Sequence, residues 1–324
     1  MLRIITNISE CVGRLLITHT GRFHADEVFA TVILYLAFSG DVSLLRTDTP
    51  PERIKIPHTV YDVGAEQGYT RYDHHQRGGN GVRKNGVPYA SAGLVWRSFG
   101  TFVLMNHGIP DKYINNIWKK IDNVLIQPID ALDNGQRSPN KQGYSESYTL
   151  THVISAFNPT CLETTASDEA FLKAFEVAKE IFIRELEKAK ARAFSADLVE
   201  EAIEKSENRI MILEQWLPWE GAVAYSENPK AAELLYVISP SNRSTGYVVI
   251  AVKADLESGK PRKAFPEAWG GLPAKALRAI TGIETIHFCH TGRFIAGTVT
   301  LEDAKKLATI AANYEERILY LKEG

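Results

Sequence analysis

Four side chains able to bind a divalent cation, His19, His24, Asp26 and Glu27, fall within nine consecutive residues. Imidazole and carboxylate in one set suit Mn²⁺, Mg²⁺, Fe²⁺ or Zn²⁺. Taken alone, Asp26 and Glu27 read as acids favoured by the positive end of a helix, a placement worth a few tenths to about 1 kcal/mol. Two further groups change that balance. Asp62 closes a strand-like run, and the triplet Asp73-His74-His75 follows it and precedes a loop. A lone histidine is usually structural, but here two adjoin each other and an aspartate that can fix an imidazole tautomer. Asp130 and Asp133, in IDALDNG, are spaced to share one face of a final helical turn. Helix termination at Asn134-Gly135 is the competing explanation for that segment. Acids and imidazoles recurring at successive strand ends favour a bound metal ion over purely structural roles.

The elements that must position these groups are legible around them. Arg14 to Thr18 is a β-branched and leucine run, followed by a turn at Gly21 and an apolar stretch from His24 to Phe38, which predicts strand, loop, helix. Val42 to Arg46 and Thr59 to Val63 are two more strand-like runs, so strands alternate with helices and the expected fold is α/β with a mostly parallel sheet. In open sheets of this kind, ligands bind at the carboxyl ends of the strands, where His19 and Asp62 stand. GGNGVRKNG, Gly78 to Gly86, predicts a mobile loop. Helices are expected over Ser91 to Leu104 and Asp111 to Ile126, with Pro128 ending the second.

A continuous helical pattern, rich in Ala, Glu, Lys and Arg, runs from Ser167 to Glu207 and joins two halves. Strand-like runs follow at Arg209 to Leu213, Leu234 to Ser239, Tyr247 to Val252 and Thr285 to Cys289, with helices near Pro273 to Ile280 and Leu301 to Tyr320. The organisation expected is a metal-binding domain over 1–165, a helical connector over 166–207 and a smaller α+β domain over 208–324. Two domains also follow from the 324-residue length, since single cores split above about 250–300 residues. One echo, HTGRFHA at 19–25 and HTGRFIA at 290–296, lacks matching flanks and reads as a shared need for a glycine turn after a strand.

Composition narrows the class. With 44% hydrophobic and 23% charged residues the whole chain can fold. Lysine and arginine number 37 against 39 aspartate and glutamate, a net charge of −2, so any contact with a polyanion must be local. Cys11, Cys161 and Cys289 lack CxxC spacing and fit reduced thiols, which predicts a cytoplasmic location. Met1 to Val12 does not read as a signal peptide, and the apolar run from Val28 to Phe38 is too short to span a bilayer.

The motifs THTGRFHADEVFA, YDVG, RYDHHQ, Ser91-Ala92-Gly93 and IDALDNG occur in the order seen in the MYG1 (UPF0160) family, which is related to the DHH phosphoesterases. RKAFPEAWGGL at 262–272 and FCHTGRFIAG at 288–297 resemble that family's later segments, so the likeness covers nearly the entire chain. It implies a DHH-like fold with a parallel sheet flanked by helices, a long connecting helix and a smaller α+β C-terminal domain. It also implies a metal-dependent phosphodiesterase or exoribonuclease with two divalent ions, Mn²⁺ or Mg²⁺. By the same similarity, His19, His24 and Asp62 would hold one ion. Asp26, Asp62, His74 and either Asp130 or Asp133 would hold the other, with Asp62 as bridge. His24 departs from the general DHH pattern, where aspartate is usual, and a neutral ligand there changes metal preference.

On this reading the substrate is RNA or a short oligonucleotide cleaved from 3′ to 5′. His75 touches a phosphate oxygen or protonates the leaving group, and Asp73 orients His74. His290, Arg293, Gly297 and Arg262 are the expected substrate contacts of the second domain. A packed corner around Pro266, Trp269 and Leu272 competes with substrate binding there, and Trp216, Trp219 and Trp269 read as core. The rivals are hydrolysis of a small phosphate compound, such as pyrophosphate, a nucleoside bisphosphate or a dinucleotide, and a metal-binding module without turnover. No membrane partner is expected, and homo-oligomerisation is left open.

Overall fold

A computed structural model describes residues 2–51, 53–64, 71–136, 148–243 and 245–315. The chain divides into two bodies, Met1–Lys190 and Ala191–Gly324.

In the first body, β1 (Arg3–Ile5), β2 (Arg14–Thr18), β3 (Val42–Arg46), β4 (His58–Tyr61) and β5 (Arg71–Tyr72) form one sheet in the order β1-β3-β2-β4-β5. Every pairing in it is parallel. The strands β2 and β3 are buried almost throughout, as strands covered on both faces must be. β1 and β5 are too short to announce themselves in the sequence. The helix α1 (Ala25–Ala37) crosses from β2 to β3 and buries nearly all its residues, including Val28, Phe29, Val32 and Ile33. Each such fully buried side chain contributes about 1.5–3 kcal/mol, which fixes where the helix, and so its first turn, must lie.

The segment expected to be a loop at 78–86 carries a small hairpin. Val82 and Pro88 form an antiparallel bridge, Arg83 donates its N–H to Val87 O at 2.8 Å and Tyr89 donates to Gly81 O at 3.0 Å. Glycines supply the turn conformations, Gly81 and Gly86 both having positive φ, rather than preventing structure. Next come α2 (Ser91–Asn106) and α3 (Asp111–Ile121).

Pro128 does not end this helical run. A π-helical turn over Asp122–Ile126 leads directly into α4 (Gln127–Asp133), with Pro128 in its first turn. The wider turn absorbs the missing N–H where a regular helix would have broken. A short α5 (Leu150–Ser155) precedes α6 (Ser167–Glu204), 38 residues long. α6 does not form a unit of its own, because its residues through Lys190 cluster with the first body and those from Ala191 with the second.

The second body contains β6 (Ile210–Ile212), the short helices α7 (Glu220–Tyr225) and α8 (Pro229–Glu233), β7 (Tyr236–Pro240), β8 (Tyr247–Ala251), α9 (Ala274–Thr281), β9 (Phe288–Cys289), β10 (Ile295–Thr298) and α10 (Leu301–Asn313). Its sheet has the order β6-β7-β8-β10-β9, with β6 parallel to β7 and the rest antiparallel. Alternation along β7 divides two cores: Tyr236 and Ile238 pack with Phe265, Trp269, Leu277 and Leu307, whereas Val237 packs with Val199, Ile203 and Trp219. Trp219 and Trp269 are core as expected, but Trp216 is exposed. The part of the predicted last helix beyond 315 lies outside the described residues. No helix among the described residues is long and apolar enough to cross a membrane.

Candidate metal centre

The end of β2 delivers His19 and the first turn of α1 delivers Asp26 and Glu27, both fully buried. Glu27 accepts the backbone N–H of His24 on both oxygens, at 2.9 and 3.0 Å, closing the helix N-terminus. One of those oxygens also lies 3.0 Å from His19 Nε2. Asp26 is held by the N-terminus of a different helix, α2: its Oδ2 accepts from Ser91 N–H at 2.8 Å and its Oδ1 from Ala92 N–H at 2.6 Å. The next N–H, that of Gly93, reaches Asp130 Oδ1 at 2.9 Å. Three of the unsatisfied donors at this helix start are therefore spent on two buried carboxylates, a favourable use of the helix dipole.

Asp62 follows β4 directly and adopts a left-handed backbone, φ 53°. Aspartate tolerates this conformation better than most residues, and such positions concentrate at functional sites. Its two oxygens face different imidazoles, Oδ2 lying 3.4 Å from His19 Nε2 and Oδ1 lying 3.4 Å from His74 Nε2. Oδ1 is also 3.6 Å from His75 Nδ1 and accepts from Ser91 Oγ at 3.2 Å. His74 Nε2 is buried among three carboxylates, with Asp133 at 3.1 Å, Asp62 at 3.4 Å and Asp26 at 3.8 Å, yet it makes no aligned hydrogen bond with any of them. A buried nitrogen surrounded by oxygens it does not bond directly fits a shared cation.

Three sets among the described residues bring ligand atoms together within 4.8 Å: His19, His24 and Glu27; Asp62, His74 and His75; and Asp26, His74 and Asp133. The donors are carboxylates and imidazoles with no thiolate, a set that suits a divalent cation such as Mn²⁺, Mg²⁺, Fe²⁺ or Zn²⁺.

The electrostatics of the protein alone are unbalanced in the same sense. Burial raises the carboxyl groups of Asp26 and Glu27, and the charge of Asp62 raises both further. Burial acts against the charged forms of His19 and His74, but their acidic neighbours prevail and push both up to about 11. Asp62 is itself buried, and the same two imidazoles hold it below the usual carboxylate range. A crowded set of acids neutralised by protonated histidines is a site in which a divalent cation can replace the protons.

The sequence-predicted residues separate on this geometry. Asp133, not Asp130, lies beside His74. Asp130 is fully buried against Arg83, whose Nη1 reaches its Oδ2 at 2.6 Å while the rest of the guanidinium forks onto Asp122 at 3.0 and 2.8 Å. The ring held by Asp73 is that of His75, through Nδ1 at 2.7 Å, whereas His74 is surrounded by Asp133, Asp62 and Asp26. Asp73 also accepts the backbone N–H of His74, at 2.8 Å.

In the second body, Arg262 Nη1 donates to the carbonyls of Ala231, Ala232 and Leu234, so it braces the end of α8. Gly297 is buried in β10, where a Cβ would lie 2.4 Å from the Phe288 ring, so its lack of a side chain serves strand packing. Arg293 reaches Phe265 O at 3.3 Å and has a left-handed backbone. His290 is exposed, its ring tilted against that of Phe294 with centroids 4.5 Å apart, and its Nδ1 accepts from Gly292 N–H.

Arg83 is the partner that residue spacing concealed, while Glu27, already a candidate ligand by its place beside Asp26, is brought to His19. Glu27 sits three residues after His24, the spacing of a helix cap, and its capping bonds coexist with its contact to His19. Nothing local marks Arg83, whose partners lie 39 and 47 residues away.

The family described as Uncharacterised protein family (UPF0160) matches residues 15–312 of this chain. MYG1 protein C694.04c of Schizosaccharomyces pombe is 29% identical, over 92% of this chain and 97% of its own length. MYG1 exonuclease of Mus musculus is 30% identical, over 90% of this chain and 83% of its own length. Among solved structures, the crystal structure of exonuclease RecJ bound to manganese aligns with 93% of this chain and 91% of that one, at 13% identity and a TM-score of 0.28.

Proposed function

The chain belongs to the UPF0160 family, and from that premise we propose that it is a divalent-metal-dependent phosphodiesterase, a 3′ to 5′ exonuclease acting on RNA or short oligonucleotides. Relatives named as exonucleases support the reaction class. The observation that carries the reading is the Asp62 carboxylate, which turns one oxygen to His19 and the other to His74 at equal 3.4 Å separations.

That arrangement supports two adjacent cation positions sharing Asp62, with His19, His24 and Glu27 on one side and Asp26, His74 and Asp133 on the other. Bound ions of this kind polarise phosphoryl oxygens and make water a nucleophile near neutral pH.

The protein's own groups supply the rest. Asp26 is fixed by two α2 amides, which hold its carboxylate in position. His75 is the exposed member of the triplet, its side chain 58% accessible, and Asp73 holds its Nδ1. This pairing raises the imidazole's proton affinity and directs the remaining ring nitrogen away from Asp73. A protonated His75 can then neutralise a phosphate oxygen or give its proton to the leaving oxygen. Neither role requires a covalent enzyme intermediate.

Metal analysis of the purified protein, followed by product analysis on 5′- and 3′-labelled oligoribonucleotides with Mn²⁺, tests this. The expected result is two ions per chain and stepwise shortening from the 3′ end. Equal turnover of a dinucleotide and a long RNA would replace the exonuclease with a small-substrate hydrolase, and two bound ions without product would make the protein a binding module.

A further inference from the structure

We propose that the hairpin over 81–89 is a phosphate-contacting element, in which Lys84 and Arg97 meet backbone phosphates of an extended nucleic-acid strand and Arg83 holds both in place. The inference rests on the nuclease reading above and extends it to how the substrate strand is held. With a net charge of −2 the chain has no general attraction for a polyanion, so strand binding must use local cations beside the reacting centre.

The hairpin is tied to the metal centre at its base and at its middle. At its base, Asn80 Nδ2 donates to Asp73 O at 3.0 Å, the residue whose carboxylate holds His75. At its middle, the buried Arg83 is fixed to Asp122 and Asp130. Asp130 in turn shares the start of α2 with Asp26. Gly86 N–H closes the turn onto Arg83 O at 2.9 Å, which leaves Lys84 exposed at the tip.

Arg83 and Arg97 both face the ring of Tyr89, their guanidinium carbons 4.2 and 4.8 Å from its centroid. Their electrostatic situations differ. The charge of Arg83 is spent on two carboxylates. Arg97 is exposed and, like Lys84, forms no ion pair among the described residues. Stacking on an aromatic face orients a guanidinium while leaving its N–H edge for an oxyanion, a geometry suited to phosphate. Arg83 is therefore a positioning residue: it sets Tyr89 and the turn, and through them Lys84 and Arg97.

The test is binding of a short fluorescein-labelled oligoribonucleotide, followed by anisotropy over a salt series with EDTA present to prevent turnover. Wild type is compared with Lys84→Gln, Arg97→Gln, the double variant, Arg83→Met and a distant charge control, Lys188→Gln in α6. Each lost phosphate contact on a single strand lowers the log–log salt slope by about 0.7, so the double variant should lose about 1.4. Arg83→Met, checked for folding by circular dichroism, should lose slope as well although it touches no phosphate, and Lys188→Gln should not. Unchanged slopes in Lys84→Gln and Arg97→Gln would overturn the hairpin proposal, while cleavage of the same oligonucleotide by wild type would leave the nuclease reading standing. Wild-type protein that neither binds nor cleaves it would overturn both.

Discussion

Asp130 stands where a side chain on Gly93 would have to be: a Cβ built on Gly93 would lie 1.9 Å from Asp130 Oδ2. The closeness lets the Gly93 amide reach the other Asp130 oxygen at 2.9 Å, next to the two amides that hold Asp26. Gly93→Ala must therefore displace α2 or α4. We expect a loss of stability of about 1–3 kcal/mol by denaturant titration, together with a weaker Mn²⁺ isotherm by calorimetry. A variant with wild-type values for both would show that this approach is not needed.

Aspartates at the centre should rank by what they face. Asp62→Ala should remove both ions, Asp133→Ala one, and Asp130→Ala neither directly. The last should instead cost about 3 kcal/mol, because it strips one partner from the buried Arg83. Metal stoichiometry and denaturant midpoints, measured on the same preparations, separate these outcomes. Asp130→Ala losing one ion while Asp133→Ala retains two would reverse the assignment.

Metal binding should release protons. His19 and His74, pushed up to about 11 in the metal-free protein, are charged at neutral pH and must become neutral to ligate. Calorimetry of Mn²⁺ binding in buffers of different ionisation enthalpy should show about two protons released near pH 7, with affinity rising as pH rises. For the metal-free chain the sign is opposite. Each raised histidine contributes stability that is complete below its unfolded value of about 6.5 and disappears as pH climbs through about 11. Thermal midpoints without metal should therefore fall between pH 7 and 10, and a proton count near zero would remove this account.

Added Mn²⁺ should stabilise the fold in proportion to occupancy, by about 2.7 kcal/mol at a hundredfold excess over Kd for one site. A chelator should return the midpoint to that of the metal-free chain. The Asp62→Ala protein should show no Mn²⁺ response in the same scans.

In the second body, Arg262→Met should lower stability by about 1–3 kcal/mol, since it leaves three carbonyls without their cationic donor. Oligonucleotide affinity of the folded variant should stay at the wild-type value. A large loss of affinity with no loss of stability would restore Arg262 as a phosphate partner.

Much of the first body could be read from residue order because its signals are local. The β2 run, the glycine turn and the apolar α1 stretch lie side by side, so the elements presenting His19 and Asp26 were visible in the sequence. Asp62 was legible as an acid at a strand end, though its left-handed backbone was not. What escaped depended on distant partners. Arg83 is explained only by Asp122 and Asp130, which lie 39 and 47 residues away. The π-helical turn escaped because Pro128 is a sound stop signal in a regular helix and loses that force where the helix widens. The hairpin over 81–89 escaped because its glycines are equally compatible with a tight turn and with disorder.

The π-helical turn over Asp122–Ile126 carries one consequence for how this chain can change. A π-helical turn closes its hydrogen bonds over one residue more than an α turn, so deleting one residue there and rewinding as regular helix would bring Asp130 and Asp133 back to nearly the same bearing relative to α3. A deletion in the regular helix beside it has no such slack: at about 100° per residue it would rotate everything beyond by more than a quarter turn, swinging Asp130 away from Gly93 and Asp133 from His74. The turn is therefore a phase reserve, a stretch that tolerates the loss of a residue that its neighbours do not.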